Sequence, residues 1–170
     1  YYFFRDPNRF PIEDESYLVS PADGVISQII ETNGPVELGL ENKKFTRVSI
    51  FMNVFNCHVN RVPCTGNVSK IIYKPGKNIN ASFDKASDEN ERNYVQFKSV
   101  NNDDLVLVQI AGLIARRIVC EVEESEDIKQ GGKFGIIRFG SRVDLYFENY
   151  KLLAKINQKT IAGESLIAKK

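Results

Sequence analysis

The sequence has 170 residues, of which 42% are hydrophobic and 26% are charged, a composition that fits one folded domain and argues against a disordered chain. Its 23 basic and 22 acidic residues leave a net charge of +1, so bulk charge gives no support for a nucleic-acid-binding surface. Three cysteines and one histidine provide neither a disulfide framework nor the Cys/His spacing of a zinc site.

The N-terminal edge of the sequence is typical of a segment close to a membrane. Residues 1–4 are all aromatic and are followed by Arg5, and aromatic residues beside a cation are common at the membrane–water interface. The sequence begins with a tyrosine, and its only methionine is Met52. We therefore expect that an N-terminal segment, such as a membrane anchor, has been removed. No apolar run within the sequence is long enough to span a bilayer.

The hydrophobic pattern of the first half predicts β structure. Apolar and polar residues alternate clearly over 45–52, as they do in a half-buried strand. Turn-forming residues at 21–24 and 75–76 separate the expected strands. Residues 31–44 contain several Gly and Pro residues, which favour a hairpin or a loop. The predicted strands of this half are 17–20, 25–30, 45–52 and 67–73.

The second half is again mostly β. A polar and charged run over 81–93 predicts an exposed loop, and residues 151–170 are typical of two short strands. The other predicted strands are 94–100, 104–111, 134–139 and 143–147, with 114–122 either a strand or a short helix. Short strands at this spacing, with few helix caps, predict a single mostly β domain. We expect a sandwich or barrel-like hybrid with short helical turns, in the style of the biotinyl and lipoyl-type barrel-sandwich folds.

The dipeptide Gly140-Ser141 stands between two predicted strands and has two interpretations. It is either a turn, in which glycine supplies unusual backbone angles and serine bonds the backbone, or a self-cleavage site. In self-cleavage the serine hydroxyl attacks the glycine carbonyl, the amide becomes an ester, and elimination leaves a pyruvoyl group on the new N-terminus. Glycine suits that reaction because it has no Cβ to block the attack and tolerates a strained backbone. The dipeptide alone favours the turn.

Two further residues are candidates for proton chemistry. His58 follows a predicted strand among polar residues, and histidine is the side chain best suited to move protons near neutral pH. A lone histidine is also commonly a hydrogen-bonded structural residue. Asp23 lies in a Pro-Ala-Asp-Gly turn, where it either bonds its own backbone or orients His58 and stabilises its charged form. In the functional alternative, Asp23, His58 and Ser141 form a base-assisted nucleophile.

Six short motifs run nearly end to end along the chain. They are FRDPNR at 4–9, SPADG at 20–24, HVNRVP at 58–63, NERN at 90–93, QIAG at 109–112 with ARR at 115–117, and FGSRVD at 139–144. In this order and spacing they resemble the phosphatidylserine decarboxylase family, and its short, archaeal-type branch in particular.

The resemblance implies a self-processing, pyruvoyl-dependent enzyme that converts phosphatidylserine to phosphatidylethanolamine and carbon dioxide. Ser141 would be the self-cleavage nucleophile and the source of the covalent pyruvoyl cofactor, and the single catalytic domain would be cut into 1–140 and 141–170. The substrate amine would form a Schiff base with the pyruvoyl ketone, which accepts electrons as the carboxylate leaves. His58 would then protonate the carbanion-like centre. The resemblance implies no metal and no diffusible cofactor.

One position departs from the longer bacterial members of that family, which carry two histidines three residues apart in this segment. The first of these positions matches His58, but the second is occupied by Arg61. In the longer type the second histidine is the base that is paired with the aspartate during self-cleavage. Either His58 serves both steps in this chain, or Asp23 activates Ser141 by another route.

Five residues are candidates for substrate binding. Arg116 and Arg117 suit a lipid phosphate because guanidinium groups match phosphate oxygens, although a surface pair fits the pattern equally well. Gln109, on an apolar strand, is expected either to be buried and satisfied or to face the site. Asn60 and Arg61, which follow His58 closely, complete the set.

The expected location is the cytoplasmic face of a bacterial or archaeal membrane. The expected partners are phosphatidylserine in that membrane and the protein's own cleaved second chain. Exposed apolar residues near Phe3, Phe4 and Phe10 would mark a membrane-facing or homodimer surface. Two alternatives remain: a pyruvoyl decarboxylase of a soluble amino acid, and a non-catalytic lipoyl-like or lipid-binding β module in which Gly140-Ser141 is only a turn.

Overall fold

The computed structural model describes residues 4–77, 89–112 and 117–170. Within these ranges the regular structure is almost entirely β, with one short 3-10 helix at Val36–Leu38. The strands are β1 (Tyr17–Val19), β2 (Gly24–Asn33), β3 (Lys44–Met52), β4 (Val59–Arg61), β5 (Gly66–Lys74), β6 (Arg92–Ser99), β7 (Asp104–Ile110), β8 (Ile118–Cys120), β9 (Asp127–Ile128), β10 (Lys133–Ile137), β11 (Ser141–Phe147), β12 (Lys151–Leu152), β13 (Lys159–Thr160) and β14 (Leu166–Lys169). The prediction of a mostly β, barrel-like fold is confirmed.

The largest sheet has eight strands in the order β13-β2-β3-β11-β7-β6-β5-β9 and curls into a half-barrel. All of its neighbouring strands are antiparallel. β11 lies in the interior of this sheet, between β3 and β7, with Ser141 opposite Met52 and Phe147 opposite Thr46. The residue after the predicted cleavage site therefore begins a strand that has a partner on each side.

Both faces of β11 are covered, and all seven of its residues are buried. Val143, Leu145 and Phe147 point into the main hydrophobic core, as the two-residue period of a strand requires. On the opposite face Tyr146 joins a smaller apolar cluster that contains Leu38 of the 3-10 helix. Burial on two faces explains why polar residues such as Asp144 are enclosed in this strand rather than exposed to water.

Two smaller sheets, in the orders β4-β10-β8 and β1-β14-β12, complete the described structure. β10 pairs with β4 through Ile136 and Val59, so the segment that leads into Gly140 lies beside the segment that follows His58. Strand pairing thus brings together two motifs that are far apart in the sequence.

The observed strands differ from the predicted ones mainly at their ends. β2 continues to Asn33 because it pairs with β3 as far as Lys44, although the local sequence favoured a loop. Three short strands, rather than two, follow residue 150, since each is defined by a partner in another part of the chain. The predicted loop over 81–93 lies largely outside the described residues, and β6 begins at Arg92. The segment 114–122 contains strand β8, and its first residues also lie outside the described ranges.

Candidate active site

The candidate cleavage site lies where a tight bend enters β11. Phe139 and Gly140 have φ angles of 56° and 50°, so two consecutive residues adopt the left-handed backbone conformation. That conformation costs a non-glycine residue about 1–2 kcal/mol, whereas glycine adopts it readily. A Cβ atom added at Gly140 would meet no heavy atom within 4 Å. The backbone before Ser141 is therefore strained at Phe139 and unobstructed at Gly140.

The side chain of Ser141 is fully buried, and its hydroxyl has no hydrogen-bond partner among the described residues. A buried polar group without a partner costs about 1–3 kcal/mol, so such groups are uncommon and call for an explanation. In the turn interpretation the hydroxyl would bond nearby backbone, and no such bond is present in the described part of the chain. A hydroxyl that is held buried without a partner, next to an open glycine, fits a nucleophile.

His58 is buried in the connection between β3 and β4. The amide of Ile137 donates to the carbonyl of His58 at 3.3 Å, which fixes the histidine beside the end of β10, close to the bend at Gly140. Nδ1 of the ring lies 2.8 Å from the carbonyl oxygen of Asn56. Because a carbonyl only accepts hydrogen bonds, Nδ1 carries the proton in the neutral ring and Nε2 holds the lone pair.

Burial is the main influence on the protonation of His58 and lowers its pKa below 6.5. The carbonyl of Asn56 and the negative charge of Asp23 act in the opposite direction and raise that pKa. The neutral form therefore dominates at pH 7. A neutral imidazole with a defined tautomer is the form required of a general base.

Asp23 is held by contacts that are distant in the sequence. Arg9 donates from Nη2 to Oδ2 of Asp23 at 2.7 Å, and the backbone amide of Ala162 donates to Oδ1 at 2.7 Å. Both carboxylate oxygens are thus engaged, and the influence of Asp23 on His58 is electrostatic. The roles of Arg9 and Ala162 were missed by the sequence analysis because no local pattern connects them to Asp23.

A chain of buried amides runs beneath the candidate site. Asn93 donates to Gln109 at 3.1 Å, Gln109 donates to Asn60 at 3.0 Å, and the amide of Asn60 lies 3.7 Å from the sulfur of Met52. Met52 pairs with Ser141 across the sheet. Gln109 and Asn60 are both buried and hydrogen-bonded, and their part in substrate binding stays a prediction.

The predicted arginine ligands lie in different surroundings. The guanidinium of Arg61 binds the carboxylate of Asp6 and the carbonyls of Pro7 and Gly131, so it fastens the N-terminal segment to the body of the protein. Arg117 is exposed. Arg116 lies outside the described residues. No group of His, Cys, Asp and Glu side chains suited to a metal ion occurs among the residues that the structure describes.

Comparisons with known proteins agree with the motifs. The sequence model of the family described as phosphatidylserine decarboxylase matches residues 1–168. A phosphatidylserine decarboxylase proenzyme of Pelagibacter ubique is 62% identical over 170 residues, which cover 100% of this chain and 79% of that protein. Proteins of the same name from Ruegeria pomeroyi and Rickettsia typhi are 48% and 53% identical over 169 residues. Those alignments cover 99% and 98% of this chain, and 77% and 73% of the two relatives.

Proposed function

The chain belongs to the phosphatidylserine decarboxylase family, and we propose that Ser141, His58 and Asp23 carry out its self-cleavage and its decarboxylation step. The predicted activity, conversion of phosphatidylserine to phosphatidylethanolamine and carbon dioxide by a self-processing enzyme, is confirmed at the level of the family. A soluble-substrate enzyme and a non-catalytic module are not favoured. The observation that carries the residue assignment is the buried Ser141 hydroxyl without a partner among the described residues, directly after an unobstructed, left-handed Gly140.

In the proposed cleavage, Oγ of Ser141 attacks the carbonyl carbon of Gly140. The carbon–nitrogen bond breaks and the released nitrogen takes up the hydroxyl proton, so the amide becomes an ester. Removal of the Cα proton of Ser141 then expels Gly140 as a carboxylate and leaves a carbon–carbon double bond at residue 141. Addition of water with release of ammonia leaves a pyruvoyl group at the start of the second chain, 141–170.

We assign the base in this cleavage to His58 rather than to Asp23. Both oxygens of Asp23 already accept hydrogen bonds from Arg9 and Ala162, whereas burial keeps the pKa of His58 low and its ring neutral at pH 7. The charge of Asp23 favours the protonated ring, so it stabilises His58 after the proton has been taken. His58 therefore serves both steps in this proposal, and Arg61 has no part in proton transfer.

For the decarboxylation step, Ser141 would provide the pyruvoyl group, whose ketone would supply an electron sink. His58 returns a proton to the carbon that lost the carboxylate. Its Nδ1–H is oriented by the carbonyl of Asn56, which leaves Nε2 as the nitrogen that exchanges the proton.

The proposal is tested by denaturing mass spectrometry of three variants. Ser141→Ala should remain a single chain without a reactive carbonyl, while Ser27→Ala, a change at an exposed serine, should be cut like the unaltered protein. His58→Ala should slow self-cleavage by about 10²–10⁴-fold, the usual contribution of a general base. Normal cleavage of His58→Ala, together with loss of carbon dioxide release from phosphatidylserine, would separate the two steps and overturn the assignment of His58 as the base in cleavage. Two chains formed by Ser141→Ala would disprove the assignment of the cleavage site.

We also propose that the enzyme works at the cytoplasmic surface of a membrane, with its second chain still bound. The substrate is a membrane phospholipid, and no helix among the described residues has the length and apolar character to cross a bilayer. Strands β11, β13 and β14 of the second chain pair with β3, β7, β2 and β1 of the first. These pairings support retention of the second chain after the cut. The division of one catalytic domain into 1–140 and 141–170, and a homodimer, stay predictions.

A further inference from the structure

Exposed apolar side chains surround the bend that contains the cleavage site. Phe55 is 74% exposed, Phe4 is 54% exposed and Phe139 is 38% exposed. We call these three residues the aromatic rim. Single exposed apolar residues are ordinary on protein surfaces, but a group of them at one place marks an interaction site.

Arginine residues connect the chain segments that carry the rim. Arg5 donates from Nη2 to the carbonyl of Phe55 at 3.1 Å. The guanidinium of Arg138 lies 5.8 Å from the centre of the Phe4 ring. The amide of Arg138 donates to the carbonyl of Arg117 at 3.3 Å. The N-terminal segment, the β3–β4 connection and the segment before Gly140 therefore meet here.

The same contacts place the rim at the candidate active site. Phe139 directly precedes Gly140, and the amide of Ile137, two residues before Phe139, donates to the carbonyl of His58. The thiol of Cys57 lies 3.0 Å from the carbonyl oxygen of Arg5. A lipid headgroup that approached Ser141 from outside would pass between aromatic and arginine side chains.

The charged side chains that contact the rim are basic, namely Arg5 and Arg138. Among the described residues, neither Arg117 nor Arg138 has a carboxylate partner, although other arginines of the protein do. The nearest acidic side chain along the N-terminal segment, Asp6, is bound by Arg61 and lies 3.8 Å from Lys133. Its charge is therefore offset by two cations, and Arg117 and Arg138 are the arginines that remain available to an anion.

We propose that the aromatic rim and its arginines dock the protein onto an anionic lipid bilayer, and that the reaction itself weakens this docking; the inference rests on the proposed function. Aromatic side chains insert at the level of the headgroups. Each basic residue near an anionic bilayer strengthens binding by about 1 kcal/mol, or about fivefold. Phosphatidylserine carries a net negative charge, and phosphatidylethanolamine is neutral. Conversion of phosphatidylserine therefore removes the negative charge that attracts the enzyme. The released enzyme then binds preferentially to bilayers that still contain phosphatidylserine.

Vesicle sedimentation with the Ser141→Ala protein tests the docking without turnover. We expect binding to phosphatidylcholine vesicles that contain phosphatidylserine, or the non-substrate anionic lipid phosphatidylglycerol, and much weaker binding when phosphatidylethanolamine replaces them. Arg138→Gln should weaken binding about fivefold, and Phe55→Ser about tenfold. Lys44→Gln, at the opposite end of β3 from Met52, is the control and should bind like its parent. Equal binding to phosphatidylethanolamine vesicles would overturn the proposal. It would also be overturned if Arg138→Gln and Phe55→Ser bound as strongly as Lys44→Gln.

A second assay separates failure of the docking proposal from failure of the proposed function. Cleavage-competent protein is given phosphatidylserine dispersed in detergent, where no bilayer is needed. The unaltered protein and Phe55→Ser should decarboxylate it at similar rates, but on vesicles Phe55→Ser should be slower by about tenfold. Equal rates on vesicles count against the docking surface alone. A complete lack of turnover by the unaltered protein in detergent counts against the proposed function.

Discussion

Asp144 is the acidic partner of a buried arginine, and we expect Asp144→Asn to destabilise the fold by about 3–5 kcal/mol. The Asp144 side chain is 1% exposed. Arg142 donates from Nη2 to Oδ2 of Asp144 at 2.9 Å, and its Nε lies 2.9 Å from Oδ1. Nε of Arg47 lies 4.0 Å from the same carboxylate. Asparagine preserves the size of the side chain but removes the charge, so the buried guanidinium of Arg142 loses the negative charge that Asp144 provides at 2.9 Å.

The measurement is urea unfolding of Asp144→Asn in the Ser141→Ala background, where one uncut chain unfolds as a unit. The matched control is Glu121→Gln, because Glu121 lies 3.2 Å from Lys133 in an ion pair whose side chains are 36% and 37% exposed. Exposed pairs contribute about 0–1 kcal/mol. The reasoning is refuted if the two variants lose the same stability, within about 0.5 kcal/mol, since burial would then make no difference to the pair.

Two further predictions concern His58 and Gly140. Burial lowers the pKa of His58, so the unfolded chain binds its proton more readily, and the stability due to the neutral ring is lost as the pH falls below about 6.5. In the Ser141→Ala background, His58→Asn should therefore lose less stability between about pH 7.5 and about pH 5 than its parent in urea unfolding; equal losses would contradict the lowered pKa. Gly140→Ala should slow self-cleavage by more than about tenfold, because a Cβ crowds the attacked carbonyl. The control for Gly140→Ala is Gly39→Ala, at a φ of 71° with equally open space, and equal cleavage time courses for the two would remove the steric argument.

The long strands were predicted well from the sequence, because the pattern of apolar and polar residues along each of them reflects which side chains are buried. The alternation over 45–52 and the run at 143–147 correspond to β3 and β11, whose apolar residues are divided between the main core and the smaller apolar cluster. The sequence predicted two short strands over 151–170 where the structure has three, because β12 and β13 have two residues each and are defined by the distant strands that pair with them. The local sequence pattern does not specify such distant pairing partners.

The candidate site could be predicted only in part, because local motifs identify its residues but not their distant partners. Ser141, His58 and Asp23 stand in motifs that the family resemblance identifies, and their positions in those motifs are local. The partners of Asp23 are not: the amide of Ala162 is 139 residues away in the sequence. The engagement of Arg61 with the N-terminal segment, and the position of Phe55 beside Arg5, likewise depend on contacts that only the folded chain creates.

Because Ser141 stands at the start of an interior strand, the chain must fold before the proposed cleavage takes place. Before the proposed cut, folding is an event within one chain; after it, recovery from unfolding requires two separate molecules to find each other. All seven residues of β11 are buried, so the second chain cannot leave without disrupting the sheet. The mature protein is then preserved by a slow rate of unfolding rather than by reversible equilibrium. Its two-chain state is reached once, through the uncut precursor, and is not regained from separated pieces at low concentration.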